Sequence, residues 1–136
     1  MKKIALSLIL SLLLSFGMSI LVSAEEYGVT PRYSNIDMCR CFFDIQNDMA
    51  NATVIVNGLA NVTSRISVKV TLEKRALLGL IWTEKASFEA SSTEISHTFN
   101  FATEVKSGTY RCNFEITVTG NNGTSEVITE QITATH

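Results

Sequence analysis

The side chains best equipped for chemistry in this 136-residue chain are its three cysteines and two histidines. Cys39 and Cys41 stand two apart, Cys112 lies far along the chain, and the histidines are His97 and His136. Residues i and i+2 of a strand share a face, so Cys39 and Cys41 project together with Phe43 and Ile45. Their Cβ atoms would then be about 6–7 Å apart, whereas a disulfide wants about 3.8 Å, so bridging each other is awkward. A disulfide from either one to Cys112 is the expectation. Closing that loop of about 70 residues is worth ~4 kcal/mol in chain entropy. One thiol is left over, either inert in the core or paired with a second chain in a homodimer. With His97 the three cysteines also make up a soft Cys3His set. Their spacing follows no zinc pattern, so neither metal nor any other cofactor is expected.

Hydrolytic chemistry has less to draw on. His97 sits within an apolar alternation and reads as a partly buried structural histidine, while the terminal His136 reads as frayed. The acids, from Asp37, Asp44 and Asp48 to Glu115, Glu126 and Glu130, are scattered, and most fall on solvent-facing alternates. A glycosidase needs two carboxylates facing across a cleft, and no such pair is signalled. The chain has no phosphate loop, nucleophile elbow or metalloprotease helix. No catalytic residue is assigned. Asn51-Ala52-Thr53, Asn61-Val62-Thr63 and Asn122-Gly123-Thr124 match the glycosylation acceptor pattern. A composition rich in Asn and Thr produces such matches by chance.

One segment is out of character for a hairpin tip. Ala76-Leu77-Leu78-Gly79-Leu80-Ile81-Trp82 is apolar and follows Lys74-Arg75. Tips are usually polar, and an exposed apolar patch marks a contact surface. Leu77, Leu78, Leu80 and Trp82 are therefore the candidate contact residues. The competing reading makes Leu80 and Trp82 strand core, with Leu77 tucked beneath.

The elements that must position these groups are strands. Ile66, Val68, Val70 and Leu72 alternate with polar residues, as do Ile95, His97, Phe99 and Phe101. So do Tyr110, Cys112, Phe114, Ile116 and Val118. Period-2 alternation of β-branched and aromatic residues predicts half-buried strands. Gln46-Asn47-Asp48, Asn57-Gly58 and Gly120-Asn121-Asn122-Gly123 supply turns. Seven strands are expected, over 35–46, 51–58, 65–74, 80–88, 93–101, 109–119 and 125–133. Evenly spaced strands of this kind predict an all-β, immunoglobulin-like antiparallel sandwich. Tyr110, two residues before Cys112 at the start of the sixth strand, has tyrosine-corner spacing. The second strand lacks the cysteine of immunoglobulin domains, and Trp82 falls on the fourth strand rather than the third.

Before the sandwich comes an export signature. Met1-Lys2-Lys3 is basic, Ile4 to Val22 carries no charge, and Val22-Ser23-Ala24 offers the small residues of a cleavage site. Residues 1–24 are expected to be a signal peptide, 25–34 a flexible leader and 35–136 a single domain. The mature form should then have no membrane span. A formal net charge of −2 argues against nucleic acid as a partner.

Several stretches together carry a resemblance: Arg32-Tyr33-Ser34-Asn35-Ile36, Val68-Lys69-Val70-Thr71-Leu72-Glu73-Lys74, the Trp82 strand and Ser107-Gly108-Thr109-Tyr110-Arg111-Cys112. The chain resembles a family of small secreted proteins of clostridia and related Gram-positive bacteria, grouped as a domain of unknown function. The resemblance implies export and a sandwich fold and brings no catalytic residues. Members tend to carry a polar tip between the third and fourth strands, so Leu77-Leu78 is a departure. The leading expectation is a secreted, non-enzymatic binding module for an extracellular protein or glycan. A self-assembling or disulfide-linked surface subunit comes second, and a secreted hydrolase third.

Overall fold

The computed structural model describes residues 33–136. The expected signal peptide, and the expected leader as far as residue 32, lie outside the described residues. Seven strands follow: β1 (Ile36–Gln46), β2 (Met49–Gly58), β3 (Thr63–Ala76), β4 (Ile81–Ser92), β5 (Ser96–Glu104), β6 (Thr109–Gly120) and β7 (Ser125–Thr135). They form two antiparallel sheets, one ordered β1-β2-β5 and the other β4-β3-β6-β7. This is the β-sandwich that the alternation predicts. In immunoglobulin constant domains the fourth strand joins the sheet of the first two; here β4 hairpins onto β3 and widens the opposite sheet.

The core follows from the alternation. Ile66, Val68, Val70 and Leu72 of β3 lie beside Cys112, Phe114, Ile116 and Val118 of β6, all 2 % exposed or less. Ala52, Val54, Val56 and Phe99 cover all of them but Leu72 from the other sheet, and Leu72 packs with Ala50, Val105 and Tyr110. Each large side chain so enclosed contributes roughly 1.5–3 kcal/mol relative to exposure. Polar groups close the two ends. Asn35 is buried, and its Nδ2 donates to the carbonyls of Val118 and Thr124. The Thr63 hydroxyl donates to the Asn35 carbonyl and accepts from the Leu59 amide. The Glu126 carboxylate accepts the backbone amides of Ser34 and Asn35, so the expected leader is already pinned at Ser34. Glu126 and Glu130 stand in the same alternation as Ile128 and Ile132, on the inward face of β7.

The opposite end corrects another expectation. His136 is not frayed: its amide and carbonyl pair with Gly108, and its ring bonds Asp48. Antiparallel pairing of β7 with β6 carries the terminus to that partner. At the adjoining corner Tyr110 is 2 % exposed, and its hydroxyl donates to the Lys106 carbonyl at 2.7 Å. The tyrosine corner is therefore built as its spacing implies.

A β-bulge interrupts the β3–β4 hairpin. Leu72 pairs with Ala86 but Glu73 pairs with Glu84, which leaves Lys85 as an extra residue. One extra residue exchanges the faces of all that follow. Counting back from the inward Phe88 by twos places Trp82 inside. The bulge moves it outside, opposite Arg75.

Replacing Tyr110 with Phe removes one buried hydroxyl and leaves the Lys106 carbonyl without its donor. Urea denaturation should show a loss of about 1–2 kcal/mol with an unchanged m-value.

Candidate functional site

The β3–β4 hairpin outruns its sheet. The last β3 pair with β6 is Lys74–Tyr110, after which Arg75–Trp82 and Ala76–Ile81 continue as a two-stranded ribbon. Leu77, Leu78, Gly79 and Leu80 form the turn, closed by Gly79 N–H to the Ala76 carbonyl (3.1 Å) and Leu80 N–H to the Leu77 carbonyl (3.2 Å). Leu77, Leu78 and Gly79 are all left-handed, with φ of 48°, 56° and 83°. Glycine takes this conformation freely, whereas a leucine Cβ meets the following carbonyl at a cost of roughly 1–2 kcal/mol.

The leucines of this turn point outward. Leu77 is 68 %, Leu78 103 % and Leu80 82 % exposed, and Ile81 is 44 % exposed. Leu80 is thus neither core nor strand, and Leu77 does not tuck beneath the sandwich. Three of the four expected contact residues form the tip itself. Arg75 folds back along it, its Nε donating to the Gly79 carbonyl at 3.2 Å.

Trp82, the fourth, is half-buried at the base, on the outer face of the four-stranded sheet. The Arg111 guanidinium lies over its ring, 4.4 Å from the centroid. Arg111 also bonds Glu73, which accepts from Asn113 Nδ2 at 2.7 Å; Asn113 in turn accepts from Gln131. The Arg111 hydrogen bond holds Glu73 below the ordinary value of 4.5, although burial acts the other way. This row across β4, β3, β6 and β7 stiffens the base of the hairpin. Arg75, Arg111, Glu73 and Asn113 escape a reading of the sequence because outward alternates look like ordinary solvated positions. The only signal was the Lys74-Arg75 pair before an apolar run.

The cysteines form a second cluster, but not the expected one. Cys39, Cys41 and Cys112 are all free thiols, so the expected bridge to Cys112 is not formed. Cys39 and Cys41 instead lie side by side on the inward face of β1, packed against the core. The neighbouring Cys41 thiol holds Cys39 below an ordinary thiol, and the Cys39 sulfur, with burial, raises Cys41. Burial alone pushes Cys112 up to about 12. His97 does not join them. It sits on β5, the far edge of the three-stranded sheet from β1, with Nδ1 2.9 Å from Glu94 and its ring edge-on to Phe99. Among the described residues no three His, Cys, Asp or Glu side chains gather as a metal would require. The outer face of the four-stranded sheet carries shallow, open polar grooves, one lined by Lys69, Thr71, Asn113, Glu115, Thr129 and Gln131.

Compared with the models of known protein families the chain matches none, and no curated protein matches it.

Two outcomes follow from this geometry. Asparagine tolerates the left-handed region better than leucine, so Leu77→Asn with Leu78→Asn should stabilise the fold by about 1 kcal/mol, read as a raised urea midpoint. At about pH 8 iodoacetamide should alkylate Cys39 first, Cys41 more slowly and Cys112 only after denaturant is added. Peptide mass spectrometry after timed quenching gives the order, and early labelling of Cys112 would contradict the burial described.

Proposed function

We propose that this protein is an exported, non-enzymatic binding module that makes its contact through the tip of the β3–β4 hairpin. The observation that carries the reading is the pair of left-handed, fully outward leucines, Leu77 and Leu78. A residue held in a costly backbone conformation, with its apolar side chain in water, gains no burial to offset that cost. Such strain persists where a function uses it. The packed sandwich of residues 33–136 serves as the stand for that tip. Recognition elements on small sandwiches are commonly loops displayed by a packed scaffold.

Export is part of the proposal. It rests on the basic and then uncharged start of the chain, the Val22-Ser23-Ala24 exit and the resemblance to small secreted Gram-positive proteins. Cys39 is the thiol to test for a bridge to a second chain, because it is only partly buried, lies on an edge strand and has the lowered pKa. A disulfide-linked surface subunit is therefore the reading to test against.

Fluorescently labelled protein lacking residues 1–24 should bind intact Gram-positive cells saturably. Leu77→Asn/Leu78→Asn should weaken that binding about tenfold or more while leaving the fold intact, since two exposed leucines lose their burial. Equal binding by the two proteins would sink the tip as the contact. Binding only by a reducible dimer would favour the subunit instead.

A further inference from the structure

The tip is a prong rather than a patch or a groove, and its chemistry is layered. At the end stand Leu77, Leu78 and Leu80, with Ile81 behind them. Arg75 and Lys74 follow on β3, and Trp82 and Lys85 on β4. Among the described residues Lys74, Arg75 and Lys85 form no salt bridge with a carboxylate, whereas Glu73 is taken by Arg111. The hairpin and its base carry the cations Lys74, Arg75, Lys85 and Arg111 beside the acids Glu73 and Glu84, with Lys74 over the Tyr110 ring, on a chain whose formal net charge is −2. The acids of the neighbouring turns, Asp48 and Glu104, belong to the three-stranded sheet, and Asp48 is bonded to His136.

Apolar residues at the point, an aromatic ring just behind and cations around it form the order of layers met in crossing from acyl chains to headgroups. Tryptophan favours that boundary because its ring is apolar with one polar edge. Lysine and arginine reach back to phosphates while their stems remain in apolar surroundings. We infer that the β3–β4 hairpin docks on an anionic lipid bilayer. Leu77, Leu78 and Leu80 enter the headgroup–acyl boundary, Trp82 lies at headgroup level, and Arg75 and Lys85 meet lipid phosphates. This inference rests on the proposed role of the tip and names its partner. Charge complementarity selects the bilayer: a preformed protein pocket for three leucines needs no surrounding cations, but an anionic surface is attracted by them.

Trp82 is the only tryptophan of the chain and therefore an internal reporter. The sandwich of residues 33–136 carries its own core, so the protein without residues 1–24 serves for the test and keeps their apolar run away from lipid. Phosphatidylcholine vesicles with and without phosphatidylglycerol are used for flotation, and brominated lipids for quenching. The expected result is flotation that depends on phosphatidylglycerol and falls with salt, a blue shift of Trp82 emission, and quenching by bromines near the headgroups. Leu77→Asn/Leu78→Asn should bind about tenfold more weakly or worse. Arg75→Gln/Lys85→Gln should lose about 25-fold on anionic vesicles, at roughly fivefold for each cation removed. Circular dichroism confirms that each variant is folded. Absence of flotation on either vesicle, or equal flotation of wild type and the leucine variant, overturns the inference. Equal binding to both vesicle types also overturns it. If wild type ignores vesicles yet its binding to cells still needs Leu77 and Leu78, the lipid inference falls and the binding-module reading stands. If neither assay responds to the leucines, both fall.

Discussion

The pairing of β3 with β6 is the constraint on which the other features depend. Ile66 lies beside Val118, Val68 beside Ile116, Val70 beside Phe114 and Leu72 beside Cys112. All eight side chains point to one face and are almost wholly buried. A slip of one residue would turn four of them to water and put Lys69, Thr71 and their neighbours into the core. Many side chains thus fix one register together, and β4 and β7 are added on either side of it. The three-stranded sheet then covers the inward face, with Val54, Val56 and Phe99 completing the core.

That same pairing ends at Lys74 and Tyr110, and its end shapes the hairpin. Up to Leu72 the strand is held by neighbours on both sides and must keep its apolar residues inward. Beyond Lys74 only β4 remains beside it, and no opposing sheet defines an inside for the turn. The bulge at Lys85 lies where this change begins, and it frees Trp82 to stack with Arg111 on the outer face. The strained leucines of the tip are tolerated because their cost is local. It is borne by a turn that no core residue depends on, while the tyrosine corner and the Glu73–Arg111 bond hold the ribbon's base.

The two ends of the sandwich differ for a related reason. At one end Asn35, Thr63 and Glu126 satisfy backbone groups that strand pairing leaves open. Buried polar groups of this kind fix a single arrangement, because an unpaired member would be costly. The chain there is tied from Ser34 onward. At the other end the polar ties stop at the base of the hairpin and its point is apolar. Polar closure at one end thus contrasts with exposed hydrocarbon at the other.

The amino-acid sequence by itself determined the strands, because period-2 alternation is a local property and survives without knowledge of neighbours. It also determined the corner at Tyr110, whose bond to Lys106 spans four residues, and it marked Leu77 and Leu78 as misplaced for a turn. Tertiary structure alone decided which face Trp82 takes, since the extra residue at Lys85 shows only when β4 is laid against β3. It decided that Cys39, Cys41 and Cys112 remain free thiols, and that Glu126, with the spacing of a core position, receives the incoming chain. It also brought His136 to Asp48, 88 residues away in sequence. Spacing along one strand assigns side chains to faces; what each side chain then meets depends on register between strands distant in the chain. That register is a collective outcome of the whole buried core.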